Sequence, residues 1–335
     1  MPELPDIEAY LAALRLRALG ERLLSIRLAN PFLLRTVDPP PAAAAGGMVQ
    51  AVSRLGKRIV FEIAVAGADA PLFLVIHLMI AGRLQWKPAP AATAPPAGPA
   101  GPASGAATPA TPMPGAGRSS ARFPVRPGNV LAFFEFSSGT LLLTEAGKKR
   151  RASLHLVQGR EALAALDPGG MDLFSSTPEE FAAALRRENR TLKRALTDPH
   201  LVSGIGNAYS DEILHRARLS PFKLSQSLTD EELAGLHEAA VAVLREWTDR
   251  LGAEAHKAFP EKVTAFRPEM AVHGKFGVRC PVCGETVQRI VYADNECDYC
   301  PGCQTGGRIL ADRSLSRLLK DDWPRGAPGA PNDEG

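Results

Sequence analysis

Two groups of residues near opposite ends of this chain have the types and spacings that chemistry needs. The chain opens Met1-Pro2-Glu3-Leu4-Pro5-Asp6. If Met1 is removed, as the small residue behind it favours, Pro2 becomes a terminal secondary amine. Such an amine can attack an aldehyde-like carbon and form a charged imine, a covalent route closed to a peptide-bonded proline. Glu3, one residue away, could move protons for that reaction. The bland alternative is a Pro-rich start without function, because chain ends are commonly poorly ordered. Near the other end runs Cys280-x2-Cys283-x16-Cys300-x2-Cys303. Two close cysteine pairs at this separation suit one tetrahedral Zn²⁺ held by two hairpin knuckles. Four thiolates leave no open coordination position, so this zinc is expected to fold its module rather than to catalyse. Cys297 does not fit the paired spacing and reads as a spare thiol.

Three further segments could hold phosphate. Gly204-Ile205-Gly206-Asn207 makes a tight turn with Asn207 at the start of a helix. Free N–H groups at a helix start, with an Asn amide, form a phosphate site, and a plain helix–turn–helix corner is the alternative. Lys193, one helix earlier, could add a charge to the same phosphate. Lys148-Lys149-Arg150-Arg151 follows a predicted strand and is either a solvated surface or a set of phosphate contacts. Lys57, in Gly56-Lys57-Arg58, is either surface decoration or a phosphate anchor.

The elements that must position these groups read as follows. Residues 6 to 20 form a helix, with Ile7, Tyr10, Leu11, Leu14 and Ala18 at helical spacing and Gly20 as its stop. β-like runs follow at Leu23 to Leu28, Arg58 to Val65, Leu72 to His77, Val130 to Phe136 and Thr140 to Thr144. They predict a two-layer β domain, a β-sandwich flanked by the first helix, over residues 2–165. The Ala/Pro/Gly-rich stretch 87–127 cannot bury enough apolar surface to order itself and reads as a disordered insertion. A helical region, 170–270, contains a start at Thr177-Pro178-Glu179-Glu180 running through Leu192. A second start at Thr229 is closed by Gly252. The cysteine module, 271–323, and a polar tail, 324–335, complete an α+β multidomain chain. With 335 residues and 45% hydrophobic content it can bury real cores, and no segment approaches ~18 uninterrupted apolar residues. A net charge of +3 permits a polyanionic partner without demanding one. A cytoplasmic, nucleoid-associated location of bacterial type and a monomer are the expectations.

Taken in order, these residues resemble the family of formamidopyrimidine-DNA glycosylase and endonuclease VIII. The resemblance spans roughly residues 2–85 and 128–322. It rests on Pro2-Glu3-Leu4-Pro5, Lys57, Ile76-His77-Leu78-Met79-Ile80-Ala81-Gly82, Gly204-Ile205-Gly206-Asn207 and Tyr299-Cys300-Pro301-Gly302-Cys303-Gln304. It implies a β-sandwich, a helix–two-turn–helix domain and a C-terminal zinc-finger β-hairpin. The implied activity is removal of oxidised bases from double-stranded DNA, with lyase cleavage at the abasic site. Pro2, Glu3 and Lys57 would be catalytic, one structural zinc would sit on Cys280, Cys283, Cys300 and Cys303, and Ile80 would occupy the void-filling position. Asn207, Lys193, Lys149 and Arg150 would contact DNA. Asp6 stands where the family usually has Glu. The loop at Ala146 to Arg151 lacks the family's aromatic wedge. Asn295 stands where the finger usually bears Arg, with Arg308 as the substitute. Ala265 to Gly277 does not resemble the loop that caps oxidised guanine, so the lesion stays open between oxidised guanine and oxidised pyrimidines or hydantoins. The alternative reading is a zinc-containing DNA-binding protein of the same fold without efficient base excision.

Overall fold

The computed structural model describes residues 1–89, 127–147, 149–292 and 295–310. Residues 90–126 of the expected insertion, Lys148, and residues 311–335 with the expected tail lie outside the described residues. Helix α1 (Leu4–Ala18) begins two residues before the expected start. Pro5 fits its first turn, and the Glu3 N–H donates to Asp6 Oδ2 at 3.0 Å, a reciprocal cap that sets the helix entry. Eight strands follow: β1 (Leu23–Leu28), β2 (Met48–Leu55), β3 (Arg58–Ala64), β4 (Leu72–His77), β5 (Gly82–Pro88), β6 (Val130–Phe136), β7 (Gly139–Glu145) and β8 (Ser153–Gln158). They form two antiparallel four-stranded sheets, ordered β1-β6-β7-β5 and β2-β3-β4-β8.

Strands β2, β5 and β8 do not appear in the sequence reading. In β2 a register shift between Val49 and Ala51 breaks the period-2 pattern. Strand β5 alternates well, with Leu84 and Trp86 buried, but it opens on a tight turn and ends in proline. Its pairing with β7 reaches Lys87 and Pro88, so the insertion begins later than expected. Strand β8 alternates too, with Leu154 and Leu156 buried, directly behind the basic run.

After α2 (Arg160–Ala164) come α3 (Pro178–Arg186), α4 (Leu192–Thr197), α5 (Asn207–Arg216) and α6 (Asp230–Lys257). The helix from Thr177 therefore stops at Arg186 instead of running through Leu192. Residues 187–191 leave the helix to bond Ser225, whose Oγ donates to the Glu188 carbonyl and accepts the Arg190 N–H. Helix α6 runs past Gly252, because Leu251 and Ala255 on either side are buried in the helical core. That packing outweighs the glycine penalty of ~1 kcal/mol. Strands β9 (Gln288–Tyr292) and β10 (Asn295–Tyr299) form a hairpin, and α7 (Pro301–Gln304) follows. No described helix is long and apolar enough to cross a membrane.

Helix α1 is buried on two sides. Ile7, Tyr10, Leu11, Leu14 and Ala18 join the core between the sheets, while Leu4, Ala9 and Ala13 join the helical core with Tyr209, Leu236 and Trp247. The first face is legible in the sequence spacing. The second is carried by small residues that let α6 approach closely. This helix joins the two cores, so it fixes the chain's start against the turn before α5. There the Leu4 N–H donates to the Gly204 carbonyl at 2.9 Å. Gly204 has φ +87°, and a Cβ on it would lie 2.8 Å from Leu4 Cβ. Both the positive φ and the close approach require glycine. Gly204→Ala is expected to lower stability by roughly 2–3 kcal/mol, measured by urea unfolding. A loss under ~0.5 kcal/mol would show that the turn can relax and that the clamp is not rigid.

Candidate active site

Glu3 is 2% exposed. Its carboxylate accepts the N–H groups of Gly206 at 2.6 Å, Ala208 at 2.9 Å and Tyr209 at 3.2 Å. These donors belong to the cap and first turn of α5. The sequence reading left them free for a phosphate, and the structure instead commits them to Glu3. Gly206 is the cap, and Asn207 is the first helical residue rather than the capping one. The Asn207 side-chain amide has no hydrogen-bond partner among the described residues and lines a cleft. A Cβ on Gly206 would lie 2.7 Å from Glu3 Oε1 and 2.9 Å from Lys57 Nζ, so glycine is what lets carboxylate and amine converge.

Lys57 is the second residue of the two-residue turn between β2 and β3, closed by the Leu55–Arg58 pair. The turn aims its amine at the α5 start. Burial lowers the Lys57 pKa, and the Glu3 charge partly restores it. The terminal amine, here that of Met1, is also lowered. Burial is the main cause, with Arg83 and Lys57 acting the same way and Glu3 and Asp6 opposing. An amine at this end of the chain is thereby biased towards its neutral, nucleophilic form. Asp6 is 1% exposed and bonds Arg267 Nη2 at 3.0 Å as well as the Glu3 N–H. Arg267 from the 258–277 segment thus pairs with the buried Asp6, whose pKa burial still raises.

Met1, Glu3, Lys57, Asn207, Ile80 and Phe266 share one cleft of about 720 Å³. Ile80, 56% exposed, sits at the tip of a turn in which Met79 has φ 52° and Gly82 N–H bonds the Leu78 carbonyl. Because Gly82 pairs with Glu145, the β7–β8 loop lies beside this turn. The buried Glu145 carboxylate pins that loop by accepting the Arg151 and Ala152 N–H groups. Lys149 and Arg150 are exposed on it, and Arg150 donates to the Gly128 carbonyl.

Two residues expected to contact DNA, Lys193 and Arg308, occupy different surroundings. Lys193 is 5% exposed, and its ammonium is committed to Asp211 Oδ1 at 2.5 Å and the Asn207 carbonyl at 2.7 Å. It lines the same cleft and holds the Asn207 turn in place, with its charge paired to Asp211. Its neighbour Arg194, exposed and lining the cleft, presents the outward cation of α4. Adjacent helical residues point about 100° apart, which sequence alone could not assign to inside or outside. Arg308 is exposed on the turn after α7 and does not line the cleft. The finger hairpin reaches the cleft through Val291 and Glu296. A residue not singled out from sequence is His77, paired with Arg58 across β3 and β4 and lining a second cavity with Met1 and Lys57. Burial, then Arg58 and Lys57, push its pKa down to about 4. Its position at the end of the apolar run Leu72 to Ile76 was the available signal.

The cysteines converge without disulfides. Cys280 and Cys303 sulfurs are 3.8 Å apart, and those of Cys283 and Cys300 are 3.3 Å apart. A tetrahedral ZnS₄ centre with Zn–S of 2.3 Å has an edge of about 3.8 Å, so the four thiols could hold one zinc ion. Cys297 lies apart. Its buried thiol bonds Asp211 Oδ1 at 3.2 Å, and burial with the Asp211 charge pushes its pKa up.

Comparison with known proteins places this geometry in a family context. Residues 1–135 match the formamidopyrimidine-DNA glycosylase N-terminal domain, and residues 169–255 match the formamidopyrimidine-DNA glycosylase H2TH domain. Formamidopyrimidine-DNA glycosylase of Thermus thermophilus is 31% identical over 314 residues, covering 92% of this chain and 100% of its own. An uncharacterized formamidopyrimidine-DNA glycosylase-like protein of Mycobacterium tuberculosis is 43% identical over 157 residues, 47% of this chain and 95% of its own. The fold matches a Lactococcus lactis Fpg mutant solved with Fapy-dG containing DNA, at TM-score 0.70 and 23% identity, covering 91% of this chain and 100% of that one.

The lowered His77 pKa has a stability consequence. Between pH 6.5 and about 4 the unfolded chain binds a proton that folded His77 refuses, so stability falls as pH drops through that window and levels off below it. The full linkage of such a shift is on the order of 3 kcal/mol, and partial exposure reduces it to about 1–2 kcal/mol. His77→Asn should flatten the pH dependence by that amount in urea titrations at pH 7 and pH 4. Identical slopes in both proteins would show that His77 titrates normally.

Proposed function

Because the chain belongs to the formamidopyrimidine-DNA glycosylase family, we propose that it excises oxidised bases from double-stranded DNA through a Pro2 imine and then cleaves the strand. The observation that carries this reading is the Glu3 carboxylate, buried against the α5 start directly behind residue 2, with Lys57 and a pKa-lowered terminal amine in the same cleft. With Met1 removed, the Pro2 nitrogen attacks C1′ of a nucleotide swung out of the stack. The C1′–N bond to the base breaks, and the base leaves with the bonding pair. The Glu3 carboxylate takes the proton that the Pro2 nitrogen sheds on attack and passes it to the sugar ring oxygen as the ring opens to the iminium. The iminium makes a 2′ proton acidic. Its removal expels the 3′ phosphate, a second elimination expels the 5′ phosphate, and water releases the sugar fragment from Pro2.

The surrounding groups divide the remaining work. Lys57 and the Asn207 amide grip phosphates flanking the lesion, with Arg194 as the cleft cation of α4 and Lys149 and Arg150 along the neighbouring duplex. Ile80 enters the gap the flipped nucleotide leaves. Phe266 offers an exposed aromatic wall to the extruded base. Zinc on Cys280, Cys283, Cys300 and Cys303 folds the hairpin that faces the duplex, with Arg308 on its outer edge. A monomer is the proposed working form.

Borohydride trapping on duplex DNA with one abasic site tests the reading. Protein shown by mass spectrometry to lack Met1 should give a covalent adduct mapping to residue 2. Pro2→Gly should trap at least about tenfold less, and Glu3→Gln should slow base excision by about 10²-fold or more. No adduct from Met1-free protein that binds the duplex would leave a DNA-binding relative without catalysis. A second test separates the two cations of α4. Arg194→Ala should lower the slope of log affinity against log salt by about 0.9 and leave stability within ±0.5 kcal/mol. An unchanged slope would remove Arg194 from the phosphate contacts.

A further inference from the structure

The cysteine cluster has a fifth donor that the paired spacing does not announce. His215, in the last turn of α5, is 6% exposed, and its Nε2 lies 3.3 Å from Cys280 Sγ. The donor atoms of His215, Cys280, Cys300 and Cys303 all fall within 4.8 Å of one another. Cys283, 3.3 Å from Cys300, belongs to the same gathering. Zinc in a structural site takes four ligands, so one of the five donors stays outside the shell. Four convergent sulfurs already complete a tetrahedron, and the imidazole then faces a metal-bound thiolate. Cys280 Sγ also receives the Val282 N–H at 3.4 Å.

We propose that His215 Nε2–H donates a hydrogen bond to the zinc-bound Cys280 thiolate and so fastens the metal centre to helix α5. Among the described residues, no other α5 side chain bonds one of the four paired cysteines. Its opening turn holds Glu3 and its middle carries Asp211 and Glu212, so the His215 bond makes one rigid element span from the catalytic carboxylate to the zinc. His215 is a positioning residue. It touches neither substrate nor metal, and it sets the orientation and charge balance of a thiolate that does touch the metal. Partners of this kind commonly alter metal affinity by 10–100-fold when removed.

Two substitutions separate the hydrogen bond from mere packing. His215→Phe fills the ring's space without an N–H. His215→Gln places an amide N–H near the Nε2 position with less packing volume. The full-length zinc-loaded chain is challenged with a colorimetric zinc chelator, without DNA, so the result does not depend on the glycosylase reading. His215→Gln should keep zinc affinity within about threefold of wild type, and His215→Phe should lose about 10–100-fold. Cobalt-loaded wild type and His215→Phe should share the same ligand-field bands, because the S₄ set is unchanged. If His215→Phe holds zinc as wild type does, or if both variants lose equally, the hydrogen bond is not what fastens the metal. Cobalt bands that move in His215→Phe would make the imidazole a ligand and overturn the proposal from the other side.

Discussion

A carboxylate that is 2% exposed must find hydrogen bonds or destabilise the fold by several kcal/mol. Glu3 finds three, all from the backbone at the start of α5. Side chains could have supplied these donors with more freedom, but main-chain donors fix the carboxylate to the helix axis itself. Much of the surrounding sequence follows from this one contact. Gly206 must lack a side chain, Gly204 must take a positive φ, and α1 must start at Leu4 so that its N–H reaches the Gly204 carbonyl. The reciprocal cap between the Glu3 N–H and Asp6 then orients the residue before Glu3 towards the cleft.

Helix α5 distributes this order through the C-terminal half. Ten residues rise about 15 Å. Asp211, fully buried, accepts Lys193, His273 and Cys297, while Glu212 takes the N–H groups of Ala271, Val272 and His273. A fully desolvated ion pair such as Lys193–Asp211 adds little net stability, but losing one partner costs about 3–5 kcal/mol. Its effect is therefore to specify one arrangement of α4, the cleft turn and the finger base. The finger is seated by carboxylates on α5, and Gln304 bonds the Leu219 carbonyl from α7. Metal, finger and cleft are in this way parts of one connected polar framework.

The sequence made legible what is local. The cysteine pairs, the Thr177 and Thr229 capping boxes and one face of α1 all depend on neighbours within a few residues. What stayed hidden depends on partners far along the chain. The α5 N–H groups look available until Glu3, some 200 positions away, occupies them. Lys193 and Arg194 differ only in which side of α4 faces Asp211. His215 reads as a helical polar residue because its partner Cys280 is 65 positions on. Strand β2 was masked by a bulge, and Gly252 misled because glycine's local penalty was set against packing the sequence does not display.

The proposed reaction sets two electrostatic demands on the cleft that would otherwise conflict. A polyanion needs positive charge at its landing site, yet an amine must be unprotonated to attack. Arg83 and Lys57, both near the terminal amine, lower that amine's pKa. Glu3 and Asp6 pull the other way. Asp6 is bound to Arg267 and Glu3 to backbone N–H groups, so each carboxylate's field is partly answered locally. Burial is the largest influence on that amine and Glu3 the largest single charge, with Arg83 and Lys57 adding to the lowering.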